Sequence, residues 1–183
     1  NRGTTDDAYF VDGIADQVRG KLTGLGRFQV IARASSDQYR DTRKTPQEIG
    51  RELGVDYLLA ATVAWARTAP GKGRVQVSPE LIDVRTGTAK WQESFDGDLT
   101  DVFQVQTSIA SQVAGALGVA LGGTEQQQLA LRPTENLAAY DVFLQAEAIT
   151  VTDPSTRRRA VGLYEQAIAL DPEYAEPRYY LGI

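Results

Sequence analysis

The sequence predicts a mixed α/β domain followed by a small all-α helical hairpin, and three observations carry that prediction. Between Thr45 and Val63 the chain reads as cap, helix, stop and strand. From Pro70 to Phe95, apolar runs follow two Gly-containing turns, Pro70–Gly73 and Thr86-Gly87. Beyond Asn136 the apolar residues keep helical spacing and no strand pattern returns.

Taken in order, the polar residues 1–8 read as loop. An amphipathic helix is expected from Asp12, because Ile14, Val18 and Leu22 recur one turn apart with Asp16, Gln17, Arg19 and Lys21 between them. Asp12 is placed to cap it and Gly24 or Gly26 to end it. FQVIARA, Phe28 to Ala34, reads as a strand, with Ser35, Ser36 and Tyr39 following its carboxyl end. Thr45 then caps a second helix and Pro46 takes its first position. Glu48 can reach back to the cap's own N–H, and Gly54 stops the helix. Val55 to Val63, VDYLLAATV, is apolar on both faces. That is the pattern of a strand covered on both sides in the middle of a sheet.

Pro70-Gly71-Lys72-Gly73 marks a turn into the strand Arg74–Val84, and Thr86-Gly87 a turn into TAKWQESF, which makes an antiparallel meander of three strands. A tight tip at the second turn sets Asp83 against Lys90, Ile82 against Trp91 and Val84 against Ala89, all favourable pairs. The same register sets Glu80 against Glu93, which repel. Pro79 cannot donate to a ladder, and the apolar parity switches between Val75/Val77 and Ile82/Val84; a bulge near Pro79 answers both. A long helix is expected from Asp98 to Leu121, with Val102, Val105, Ile109, Val113 and Leu117 as its stripe and Asp98, Thr100 and Asp101 at its start. Residues 122–134, polar with Gly, Gln and Pro, read as a linker. A helix from Asn136 to Ile149 carries Leu137, Tyr140, Phe143 and Leu144, and Asp153-Pro154 opens another.

Composition narrows the function. With 42% hydrophobic and 23% charged residues over 183 positions, the balance is that of a globular chain with a sizeable core. A net charge of −5 with a pI near 4.8 argues against nucleic acid, which rewards clustered Lys and Arg. The runs Arg40–Lys44 and Arg157–Arg159 read as solvated faces. The chain has no Cys and no His, so disulfides, thiolate nucleophiles, the usual zinc sites and imidazole acid–base chemistry are absent. A chain without thiols suits either redox environment and assigns no compartment. No apolar run approaches the ~20 residues that span a bilayer. With Asn1 first and no Met anywhere, the chain reads as a piece of a longer protein.

No reaction is visible in the candidate sites. Pro70–Gly73 lacks the spacing of a phosphate loop and opens no helix, so a hairpin turn is the better account. Asp96, Asp98 and Asp101 lack the loop glycine and distal Glu of a calcium loop, and Glu80 with Glu93 reads as a solvated rim. Arg33, Ser35, Ser36 and Tyr39 follow a strand end, where α/β sheets leave a crevice, and are the candidates for binding a small ligand. The plainer account of the serines is a cap on a short helical turn. No catalytic residue, cofactor or metal ligand is assigned.

In the last fifty residues, Ala160, Tyr164, Ala167 and Pro172 fall where a tetratricopeptide repeat puts small, aromatic, small and proline residues, and Leu181-Gly182 matches the opening of a following repeat. On that resemblance residues 135–183 are one repeat, stopping inside a second, and about three are usually needed for a stable array. The missing repeats therefore lie beyond this chain, or this one leans on the first domain. First helices of such repeats line a concave binding face, which makes Tyr140, Phe143 and Gln145 candidates for binding protein or peptide partners, although both aromatics also suit simple packing on the neighbouring helix, the better account of Phe143. FVDGIADQVRGKL, FQVIARASSDQY, IGRELGVDYLLAATV and LIDVRTGTAKWQESFDGDLTDVFQVQ, in that order, resemble the domain similar to the amino-terminal domain of TolB. The resemblance implies residues 1–121 as that α/β domain, in company with repeats in bacterial signalling proteins such as eukaryotic-type Ser/Thr kinases, class III adenylate cyclases and winged-helix regulators. It also implies a short apolar strand upstream of Phe10 that the polar start of this chain does not supply. The function expected is a non-catalytic sensory and interaction region, with small-molecule sensing near Ser35–Tyr39 as the alternative. The compartment stays open between the two sides of the inner membrane, and an exposed sheet edge offers a route to a homo-oligomer.

Overall fold

The computed structural model describes residues 8–40, 42–69 and 72–182. Of the loop expected at 1–8, residues 1–7 lie outside the described residues, as do Pro70 and Gly71 of the first expected turn, and Ala8 is helical. Helices α1 (Ala8–Gly24), α2 (Arg33–Asp37) and α3 (Pro46–Leu53) precede an antiparallel sheet of β1 (Tyr57–Ala69), β2 (Lys72–Asp83), β3 (Thr88–Gln92) and β4 (Phe95–Asp98). Helices α4 (Val102–Ala116), α5 (Gly123–Ala130), α6 (Leu137–Glu147), α7 (Pro154–Leu170) and α8 (Ala175–Leu181) follow. The fold is mixed α/β with an all-α carboxyl-terminal part.

Local signals are obeyed where their partners are also local. In α3, Thr45 Oγ1 accepts from the Glu48 N–H at 3.3 Å and Glu48 Oε2 accepts from the Thr45 N–H at 2.7 Å, while Gly54 closes the helix at φ 66°. Asp153 caps α7 through the N–H groups of Ser155 and Thr156, with Pro154 in the first turn. Asn136 caps α6 in the same way. Ile14, Val18 and Leu22 are buried as expected, but α1 already begins at Ala8, so Asp12 is an interior residue and not its cap.

The sheet departs from expectation in several places. Phe28–Ala34 forms no strand: Phe28 and Val30 pack half-buried against the core, and Arg33 opens the short α2. A strand needs a partner to satisfy its backbone, and among the described residues nothing pairs with the outer edge of β1. β1 is therefore an edge strand, not a central one. Val63 is 2% exposed, but Leu59 reaches 38%, and Ala60 to Thr62 are exposed. β2 holds the centre, with β1 on one side and β3 and β4 end to end on the other.

The ladder between β1 and β2 runs regularly through Ser78↔Thr62, Pro79↔Ala61 and Glu80↔Ala60, so there is no bulge at Pro79. The Pro79 carbonyl accepts from the Glu93 N–H, which shows that its missing donor points at the break between β3 and β4. The absent N–H costs nothing there. The irregularity lies between Leu81↔Trp91 and Ile82↔Ala89, with Lys90 as the extra residue. Asp83 accordingly opposes Thr88, and Glu80 opposes Gln92, which removes the expected repulsion with Glu93. The tip is a four-residue turn, Val84–Gly87, whose Arg85 and Thr86 N–H groups donate to the Asp83 carboxylate.

The expected helix from Asp98 is shorter. Asp98 ends β4, a 3-10 turn covers Leu99–Asp101, and neither Asp98 nor Asp101 makes a side-chain cap. Val102, Val105, Ile109 and Val113 are buried as their spacing predicts. The linker expected at 122–134 contains α5 instead. Leu129 buries against the core, Glu125 Oε2 accepts from the Gly122 N–H, and the Leu129 carbonyl accepts from Lys21 Nζ (2.6 Å) and Thr107 Oγ1 (2.8 Å). Gln128 Nε2 donates to the Gly24 carbonyl at 2.9 Å.

α5 therefore binds to α1 and α4, and the helices beyond it join the same core. Phe10, Ile14, Phe103 and Ile109 form one buried cluster with Ala139, Tyr140, Phe143, Leu144 and Tyr174. Tyr140 lies edge-on to Phe103 with ring centres 4.8 Å apart, and its hydroxyl accepts from Gln106 Nε2 at 3.2 Å. Helix α1 meets α6 so closely at Gly13 that a Cβ there would stand 2.4 Å from a Leu144 methyl. The carboxyl-terminal helices lean on the α/β domain through a continuous apolar contact.

Candidate functional site

That close approach opens on one side into a cleft of about 310 Å³. From α1 come Tyr9, Asp12 and Asp16, one face of the helix, because residues four apart stack on one side. Arg33 enters from α2. Helix α6 contributes Phe143, Leu144 and Glu147, and α8 contributes Glu176 and Tyr180. The volume matches a small ligand or a single long side chain.

The two carboxylates from α1 are matched by cations. Asp16 pairs with Arg19 and Arg33; Asp12 pairs with Arg40 at 2.7 Å and lies 3.7 Å from Arg33. Arg33 also bonds Asp37 at 3.2 Å. Burial raises the Asp16 pKa above its usual value, against the pull of Arg33 and Arg19. At Arg33 burial works downward but Asp16, Asp37 and Asp12 outweigh it, so its pKa is raised. The wall from α6 and α8 differs. Glu147 Oε1 accepts from Tyr164 OH at 2.5 Å, and burial raises the Glu176 pKa. Burial, then the neighbouring Glu147 carboxylate, pushes the Tyr180 hydroxyl up to about 12. Phe143 stands 5.8 Å from Tyr180, and Tyr164 stacks on Tyr180 at 5.4 Å.

Of the residues singled out for a small ligand, only Arg33 lines this cleft. Ser36 Oγ accepts from Arg19 Nη2 at 3.2 Å and donates to the Arg33 carbonyl at 3.0 Å, inside α2 rather than at its cap. Ser35 also lies within α2. Tyr39 turns toward α3, where its hydroxyl donates to Glu52 at 2.7 Å and Lys44 lies over its ring. The structure does not bring the four together. Among the residues expected to meet a protein partner, Phe143 lines the cleft, Gln145 donates to Asp141 at 3.2 Å, and Tyr140 is 0% exposed, closed off by α1 and α4. Asp12 with Asp16 had a sequence signal in their spacing. Glu147 and Glu176 had none, because only the packing of α8 beside α6 brings them to one cleft.

Among the described residues no three potential ligand side chains converge on a metal-sized point, and no helix is long and apolar enough to cross a membrane. No family model matches the chain. Over 182 residues it is 29% identical to the protein named "Putative adenylate cyclase 3" of Rhizobium meliloti (strain 1021), an alignment that covers 99% of this chain and 30% of that protein. The chain thus spans less than a third of the length of the curated relative it matches.

Proposed function

We propose that this chain is a non-catalytic interaction region of a bacterial signalling protein. In this reading a TolB-amino-terminal-like α/β domain carries α6 to α8 as tetratricopeptide-type helices that recruit a partner. One observation carries it: the cleft between α1, α6 and α8 is walled by aromatic and charged side chains and braced by a core common to both parts. Buried Ala160 and Ala167, and Tyr164 packed on Phe143, are the small and aromatic contacts such a repeat uses. The signalling context is supported by the name of the relative, most of whose length lies outside the aligned segment.

Small-molecule sensing is the second reading, supported by the ligand-sized cleft and by Arg33 in its wall. Ser35, Ser36 and Tyr39 lend it nothing. To test the main reading, random peptides are displayed against the 183-residue chain and enriched sequences are titrated with Phe143→Ala and Tyr180→Ala. Saturable binding weakened by both substitutions supports it. Formation of cyclic AMP from ATP by this chain alone would overturn it.

A further inference from the structure

The cleft just described leaves two carboxylates over. Asp12 and Asp16 are answered by Arg19, Arg33 and Arg40, whereas among the described residues no Lys or Arg pairs with Glu147 or Glu176. Arg157 shares a second hollow on the far side of Glu147 without pairing to it. Both acids stand in a wall that also holds Leu144, Ala148 and the rings of Phe143 and Tyr180. The Tyr164 hydroxyl donates to Glu147 at 2.5 Å, which offsets part of the hydration that carboxylate gives up but none of its charge, and a cation entering the cleft would meet both acids.

We propose that the cleft takes an organic cation, a guanidinium or alkylammonium group, seated between Glu147 and Glu176 and against the exposed ring of Tyr180, which Phe143 backs from the core. Two features select an organic cation over a metal ion. Among the described residues no three acidic side chains gather where a metal ion could sit, so the wall lacks the oxygen shell that calcium or magnesium needs. Glu147 and Glu176 suit a group that spreads its charge over several N–H donors. The exposed ring of Tyr180 attracts a weakly hydrated cation through its quadrupole, which a strongly hydrated metal ion does not exploit. The volume of about 310 Å³ holds one such group and its alkyl stem. The same chemistry is offered by a free amine and by an Arg or Lys side chain of a peptide.

The inference rests on this cleft being the binding site of the proposed function, and the test separates the two. Isothermal titration of the 183-residue chain uses agmatine as the free cation, an Arg-centred acetylated and amidated tripeptide as the peptide form, and the matching Glu-centred and Gln-centred tripeptides as controls. Saturable binding of either cationic probe is expected, weakened about tenfold by Glu147→Gln and by Glu176→Gln and further by raised salt. Glu165→Gln, on the exposed side of α7, leaves it unchanged. Tighter binding of the Arg tripeptide assigns the cation to a peptide, and tighter agmatine binding assigns it to a small molecule. Binding of all tripeptides alike, lost in Phe143→Ala but not in the Gln variants, would overturn the cation while keeping the cleft. No heat with any probe, from variants that melt like the parent, would overturn both.

Discussion

Helix α1 contains two glycines whose replacement by alanine should move stability in opposite directions. At Gly20 an added Cβ meets nothing within 4 Å, whereas at Gly13 it would stand 2.4 and 2.5 Å from the methyls of Leu144 and 3.0 Å from its Cγ. Alanine is better than glycine in a helix interior by about 1 kcal/mol, largely because the unfolded chain loses freedom. Gly20→Ala should therefore stabilise by about that amount. Gly13→Ala receives the same gain but presses on a buried leucine, and overpacking of this kind costs about 1–3 kcal/mol. The net effect at Gly13 runs from about zero to about 2 kcal/mol of destabilisation, so the two variants should differ by about 1–3 kcal/mol. Urea unfolding of the parent and both variants, followed by far-UV circular dichroism, measures this directly. Shortening the leucine removes the clash, so Gly13→Ala in a Leu144→Ala background should recover the full helix gain. Equal stabilisation at both glycines would refute the close seating of α6 on α1, and with it the wall of the cleft.

Other consequences are simpler to state. The Tyr174 hydroxyl is buried with no hydrogen-bond partner among the described residues, so Tyr174→Phe should raise stability by about 1 kcal/mol, and a comparable loss would show a partner for it. Lys21→Met removes the donor shared by the carbonyls of Leu129 and Leu131; amide exchange in α5 should accelerate while that in α3 does not, and unchanged α5 protection would count against this anchoring. Asp153 has its pKa depressed to about 2, first by Ser155 and then by the N–H groups of Thr156 and Ser155. A depressed carboxyl pKa stabilises fully above the unfolded value of about 3.9 and loses that contribution as pH falls toward about 2. The melting temperature of Asp153→Asn should therefore fall less than the parent's between pH 4 and pH 2, and parallel curves would contradict the cap.

What could be read from the sequence was what short range decides. The starts of α3, α6 and α7 need only a capping side chain and its next few N–H groups, and Thr45, Asn136 and Asp153 supply them. Pairing across the sheet depends on segments far apart in the chain, and there the reading failed. Phe28–Ala34 has strand composition, but among the described residues no strand lies beside it, and the double-sided apolar pattern of β1 falls on an edge for the same reason. Lys90 shifts the register by one, which no cross-strand pair rule foretold. The polar stretch after Gly122 is a helix because Lys21, Thr107 and Gln128 tie it to α1 and α4, bonds that composition cannot display. The cleft suffered most, since its walls come from three separate regions. Arg33 and Phe143 were anticipated, but for different sites.

The location of binding is best measured by an NMR titration of the isotope-labelled 183-residue chain with the Arg-centred tripeptide. The shared-core cleft predicts that resonances of Asp16, Phe143, Glu147, Glu176 and Tyr180 move together with one dissociation constant, while those of Ser35, Tyr39 and the exposed edge of β1 stay in place. Shifts confined to Ser35–Tyr39 or to β1, with the α6 and α8 residues still, would contradict it.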